Sequence, residues 1–209
     1  NQADMTLEWY FGDSSSLSAG VFIKDLESFI DYVEMPVERE GGRYFASFPS
    51  KSAYGATIKG AEFAYQQSFD ELLAEPFNGL GFQLNYTYVD SNYDDPELKE
   101  AGLPFKGMSK NSYNAVLYYE QYGFQARLAY NWRSKFLSDP EAWGGAYWIS
   151  DYGQLDASFS YSMNDHVTVF AEASNLTNER YWGYIKQEDQ VSYLERFGTQ
   201  LAVGIRASF

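Results

Sequence analysis

Gln200-Leu201-Ala202-Val203-Gly204-Ile205-Arg206-Ala207-Ser208-Phe209 is the stretch whose reading decides the fold. Leu201, Val203, Ile205, Ala207 and Phe209 are apolar, while Gln200, Ala202, Gly204, Arg206 and Ser208 between them are small or polar. That is a strand of period two, with one oily face, one wet face and an aromatic at its end. A soluble sheet can contain one such strand. Here the pattern recurs along nearly the whole chain with aromatics near the strand ends, and this points to the wall of an outer-membrane β-barrel.

Composition agrees. Of 209 residues, 19 are Tyr, 16 Phe and 5 Trp, a load that suits strands with interfacial girdles. No run reaches the 18 or so uncharged apolar residues of a membrane helix. A barrel strand shows lipid only alternate residues, so a mildly polar mean hydropathy is compatible with a membrane wall. There are no cysteines, hence no disulfides or thiolate metal sites. The formal charge of −14 argues against a nucleic-acid partner, which needs a basic surface.

Nine strands are expected, at about 3–11, 16–32, 55–68, 79–90, 111–120, 124–134, 152–163, 166–175 and 195–209, with ends uncertain by a few residues. Gly12-Asp13-Ser14-Ser15, Gln121-Tyr122-Gly123 and Asn164-Asp165 have the residues of tight hairpin turns, and Phe69 to Asn78 is a longer turn. Structureless connections of about twenty residues are expected near 33–54, 91–110, 135–151 and 176–194. Short and long alternate, as they do between the periplasmic and external rims of bacterial barrels.

In that frame Leu80, Phe82, Leu84, Tyr86 and Tyr88 face outward, with Tyr113, Ala115, Leu117 and Tyr119, then Phe124, Ala126, Leu128, Tyr130 and Trp132, then Leu155, Ala157, Phe159 and Tyr161. Tyr86, Tyr88, Tyr113, Tyr130 and Trp132 collect at the long-loop rim. Trp9, Phe11, Tyr119, Phe124, Tyr161 and Phe209 collect at the short-turn rim, with Leu84, Leu117, Leu128, Ala157, Val203 and Ile205 between. Two belts of rings around an aliphatic band match headgroups and hydrocarbon. Nine antiparallel strands cannot close, so further strands are expected before Asn1. The opening on Asn1, with no signal peptide, implies a processed chain or a piece of a longer one.

Several motifs resemble those of TonB-dependent outer-membrane receptors. They are Lys59-Gly60-Ala61-Glu62-Phe63, Gly102 to Asn114 followed by Leu117-Tyr118-Tyr119-Glu120, Arg127 to Phe136, Ser174-Asn175-Leu176-Thr177-Asn178-Glu179 with Tyr181, and the terminal strand from Gly198 to Phe209. The resemblance covers essentially the whole chain. It implies an all-β, transmembrane, antiparallel up-and-down barrel, with residues 1–209 forming about the last nine strands of a barrel of roughly 22. It further implies a plug domain and a TonB-interacting box outside these residues. Leu201, Val203, Ile205 and Phe209 would then serve as the assembly signal. The implied localisation is the bacterial outer membrane, with lipid, plug, TonB complex and a small-molecule ligand as partners and no cofactor.

On the wet faces Arg127, Asn131, Arg133, Asp156, Glu172 and Arg206 are candidates for a lumen wall that faces the plug or a solute path, or for ion pairs across neighbouring strands. In the loops Trp143, Tyr147 and Trp148, and Tyr181, Trp182 and Tyr184, could stack on a sugar or an aromatic siderophore, or pack the loops together. Asp90, Asn92 and Asp94 have calcium-like spacing, but Asp95 and Ala101 stand where an EF-hand needs Gly and Glu. His166 is the sole histidine and lies by a short turn, which speaks against hydrolysis. The expected function is active import of a scarce solute, an oligosaccharide ahead of a ferric siderophore. The alternatives are a passive porin and a barrel enzyme.

Overall fold

The computed structural model describes residues 1–12 and 14–208, and of Trp143 only the backbone. The described strands begin with β1 (Gln2–Phe11), β2 (Ser15–Leu26), β3 (Ile30–Arg39), β4 (Gly42–Lys51), β5 (Ala56–Ser68) and β6 (Leu80–Tyr93). A single turn of helix, α1 (Pro96–Glu100), precedes β7 (Asn111–Gln121), β8 (Phe124–Arg133), β9 (Phe136–Asp139), β10 (Tyr147–Ile149) and β11 (Tyr152–Asn164). The chain finishes with β12 (Val167–Ser174), β13 (Arg180–Ile185), β14 (Val191–Arg196) and β15 (Gln200–Ala207). Phe209, the Trp143 ring and Asp13 of the first turn lie outside the described residues.

Nine strands form one antiparallel wall in the order β1-β2-β5-β6-β7-β8-β11-β12-β15. Each wall strand pairs with its neighbour along the chain, as an up-and-down barrel requires. β1 and β15 each have one unpaired edge, so the wall is not closed. Two expected strands were too long. The strand expected over 16–32 leaves the wall at Leu26, where Ser52 Oγ accepts a hydrogen bond from Phe29 N at 3.0 Å and closes the base of the β3–β4 hairpin. The strand expected over 195–209 divides at Gly198, whose φ of +74° turns the chain between β14 and β15.

Register confirms the two faces. Phe82, Leu117, Leu128, Ala157, Ala173 and Leu201 form one row across six strands, and Tyr119, Ala126, Phe159, Ala171 and Val203 form another. Nearer the long loops, Leu7, Ala19, Phe63, Tyr86, Tyr113 and Trp132 share a row. The rings sort by height: Tyr113 stacks on Trp132 at 5.3 Å at one rim and Phe124 on Tyr161 at 4.3 Å at the other. A slip of one residue would turn every one of these side chains to the other face, so the apolar pattern holds the register. This face is open among the described residues: Leu201, Val203 and Ile205 are 76%, 83% and 71% exposed.

The long connections differ from expectation, because they are ordered. β3 and β4 form a hairpin, and β14-β13-β10-β9 form a second antiparallel sheet. Among the described residues the largest fully buried side chains, Tyr93 and Leu137, lie at this end, as do the buried Tyr184 and Ile149. Phe29, Tyr93 and Phe105 meet with ring centroids 5.0–6.0 Å apart, and Tyr93 Oη accepts a hydrogen bond from Lys106 N. The wall is a single layer with no second layer to pack on. The largest side chains therefore find deep cover where the loops fold over one another.

Candidate functional site

The face opposite the apolar rows carries the polar residues, again in rows. Asn85, Asn114, Asn131 and Gln154 lie side by side, as do Thr87, Ser112, Arg133 and Tyr152. Asn114 Nδ2 donates to Asn131 Oδ1. Lower on the wall Tyr118, Arg127, Ser158, Glu172 and Ala202 share a row. Arg127, Asn131, Asp156, Glu172 and Gln200 line a hollow of about 510 Å³. A second hollow of about 580 Å³ shares Arg127 and Glu172 and adds Tyr118, Glu120 and Arg206. An apolar face with two ring belts and a polar face with open hollows are the two sides of a membrane barrel wall.

The sequence profile of the family described as TonB dependent receptor-like, beta-barrel, matches residues 1–176. The chain belongs to that family. No curated protein matches it by sequence. Among solved structures it resembles the ferric enterobactin receptor PfeA of Pseudomonas aeruginosa. A single mutant in complex with enterobactin superposes with a TM-score of 0.66, and a double mutant with 0.63, each at 17% identity. All of this chain is covered in both cases, but it spans only 31% of those receptors. The shared property is the fold of the barrel wall.

Within this TonB-dependent receptor barrel the charges expected to pair across strands do not pair. The ion pairs among the described residues are Lys59–Asp90, Lys106–Asp31 and Lys135–Glu188, and none involves the lumen set. Arg127 and Glu172 occupy one row with Ser158 between them, which sets them two strand spacings apart, roughly 9–10 Å. Arg133 and Arg206 rest on rings instead. Arg206 Cζ lies 5.8 Å from the Phe170 centroid, and Arg133 Cζ lies 4.7 Å from Phe136 and 5.9 Å from Tyr181. Asp156 belongs to a polar ladder: Tyr152 Oη donates to Gln154, Gln154 donates to Asp156, and Asp156 accepts from Asn175 N.

The loop aromatics do not form one platform, because alternation along β10 and β13 divides them between two faces. Tyr147 and Tyr181 share a face with Tyr193. Tyr181 meets Tyr152 and Tyr193 edge-on, each at 6.1 Å, and lies beside Arg133, so this face continues the lumen wall. Trp148, Trp182 and Tyr184 occupy the opposite face, with Trp182 5.6 Å from Tyr184. Lys135 Nζ stands 5.8 Å from Trp148 and 5.9 Å from Tyr184, and it pairs with Glu188 at 3.2 Å.

Asp90, Asn92 and Asp94 do not converge on a cation. Asp90 is paired with Lys59 at 3.1 Å, Asp95 caps α1, and no group of three metal-binding side chains occurs among the described residues. Sequence reading missed Lys135, Tyr152 and Tyr193 as site residues. Their role depends on register across strands, which local patterns do not encode. Asn175 was visible only as part of its Asn-Leu-Thr-Asn motif. It is 4% exposed with φ +53°, donates to the carbonyls of Glu179 and Gly198, and accepts from Glu179 N, thereby fastening the base of the β13–β14 hairpin.

Proposed function

We propose that this wall is part of an outer-membrane receptor that captures a scarce solute and imports it with energy delivered by the TonB complex. The observation that carries this reading is the nine-strand wall itself, apolar and doubly belted with rings on one face, polar and hollowed on the other, in a chain of the TonB-dependent receptor barrel family. The remaining barrel strands and a plug domain would complete the protein. Arg127, Asn131, Asp156, Glu172 and Arg206 would face the plug or the solute path, and Leu201, Val203 and Ile205 would serve in assembly.

Capture falls to the loop face continuous with the lumen. There Tyr147, Tyr181 and Tyr193 share a face, with Tyr181 beside Arg133, and flat rings accept the faces of sugars. An oligosaccharide is the favoured solute. A ferric siderophore comes next, since the overall charge of −14 disfavours an anionic chelate outside this local cation. The test is uptake of radiolabelled oligosaccharides by cells expressing the intact protein, with and without the inner-membrane proton gradient. Uptake that stops when the gradient collapses supports an energised importer. Uptake that continues makes the protein a passive porin.

A further inference from the structure

Arg133 ends wall strand β8 on the lumen side, in one row with Thr87, Ser112 and Tyr152. It is half-buried, with the ring centroids of Phe136 and Tyr181 at 4.7 and 5.9 Å from Cζ. Among the described residues it has no carboxylate partner and no side-chain hydrogen bond. Asp156, lower on the same face, is held by Gln154 and by Asn175 N. The rings shield this cation and leave its N–H donors without acceptors. A planar guanidinium so placed is preset for a bidentate oxyanion.

The surface beside Arg133 suits a sugar that carries such a group. Tyr147, Tyr181 and Tyr193 share the adjoining face of the loop sheet. Gly183, paired with Tyr193 and Ile149, has no side chain to stand between them. A Cβ there would lie 2.7 Å from Tyr147 Oη and 2.9 Å from Ile149 Cδ1, so the Tyr147 ring crosses the sheet over this glycine. The result is an aromatic floor of the kind that meets a pyranose face. Glu195, opposite Tyr181 on the same face, adds an acceptor for hydroxyls.

We infer that the solute seated on this face is an acidic oligosaccharide built of hexuronate units, with Arg133 holding the carboxylate of one unit. The tyrosine rings would lie on the pyranose face of that unit, and Glu195 would accept its hydroxyls. A hexuronate carries one charge per ring, so a single guanidinium neutralises the seated unit on a chain of otherwise acidic balance. A ferric chelate spends its oxyanions on the metal instead. This substrate class rests on the reading of the protein as an importer that captures on this face.

The test is calorimetry on the intact receptor with trigalacturonate, trimannuronate and the methyl ester of each, which keeps every hydroxyl and removes the charge. At least one acid should bind at least tenfold more tightly than its ester. Ser112→Glu leaves Arg133 in place and offers it a carboxylate across the β7–β8 pair. Ser112→Gln has the same size without the charge, so any cost in packing is common to both variants. Ser112→Glu should bind the acid at least tenfold more weakly than Ser112→Gln, with the ester bound equally by the two. Equal binding of acid and ester, no binding of either acid, or equal binding of the acid by the two variants would overturn the inference. Tighter binding of ferric citrate than of either acid would overturn it too. An acid preference combined with uptake that survives loss of the proton gradient would keep this site and remove the importer reading.

Discussion

The carboxylate of Asp156, on wall strand β11, accepts a hydrogen bond of 2.9 Å from the backbone N–H of Asn175, the residue at which the chain leaves the wall for β13. Asn175 then binds both ends of that excursion, Glu179 at its start and Gly198 at its finish, and Thr199 Oγ1 donates to the Asn175 carbonyl. The wall and the loop sheet are joined at this point by partly buried polar bonds.

Asn175→Ala should free the hairpin at its base. It strands the Glu179 amide and two carbonyls, each at about 1–3 kcal/mol when buried, and it places a Cβ residue at positive φ without the asparagine side chain that tolerates it. Trypsin cleavage after Lys186 in the folded protein should accelerate at least tenfold. Asn175→Asp, which keeps the acceptor for Glu179 N and loses the two donors, should fall between.

Arg133→Met should loosen the same sheet from another side, since the guanidinium bridges Phe136 of β9 and Tyr181 of β13. Two partly exposed cation–ring contacts amount to about 1–2 kcal/mol together. Urea unfolding followed by tryptophan fluorescence should show a loss of that size, with Arg133→Lys recovering part of it. No loss would mean that the rings hold the sheet alone.

Ring removal separates the two faces of the loop sheet. Tyr147→Ala with Tyr181→Ala in the intact receptor should weaken solute binding at least tenfold, about 1.4 kcal/mol. Trp148→Ala with Trp182→Ala should leave it within twofold. The reverse ranking in calorimetry would place capture on the face of Trp148 and Trp182.

Lys135 provides a pH dependence. Hydrogen bonds with Tyr184 and then Glu188 raise its pKa above the ordinary 10.5. The folded state holds this proton more tightly than the unfolded chain, so the contribution is complete below 10.5 and is lost as pH rises through the raised value. Arginine stays charged throughout. The difference in melting temperature between Lys135→Arg and the parent should therefore be constant below pH 10 and widen above it.

Leu128, paired with Leu117 and Ala157 in the middle of the apolar row, tests which face meets lipid. Leu128→Arg should cost about 2–4 kcal/mol in bilayer refolding. Ser158→Arg, on the polar face, should cost under about 1 kcal/mol, because its head stays in water. Equal losses would contradict the assignment of faces.

Alternation and turn chemistry are local properties, so the sequence by itself determined the nine wall strands, their antiparallel order and their two faces. Leu201, Val203 and Ile205 declare an oily side whatever surrounds them, and Tyr122-Gly123 declares a turn. The resemblance carried by Lys59 to Phe63 and Ser174 to Glu179 named the family on equally local grounds. The tertiary structure decided what long-range register controls. It gave the long loops their strands and buried Tyr93 and Leu137 among them. It set Ser158 between Arg127 and Glu172 in their row, and it put Tyr181 and Trp182 on opposite sides of one sheet. Neighbours in sequence alternate across a strand, whereas neighbours in space come from strands tens of residues away. A site assembled from Arg133, Tyr152 and Tyr181 exists only once those strands have paired.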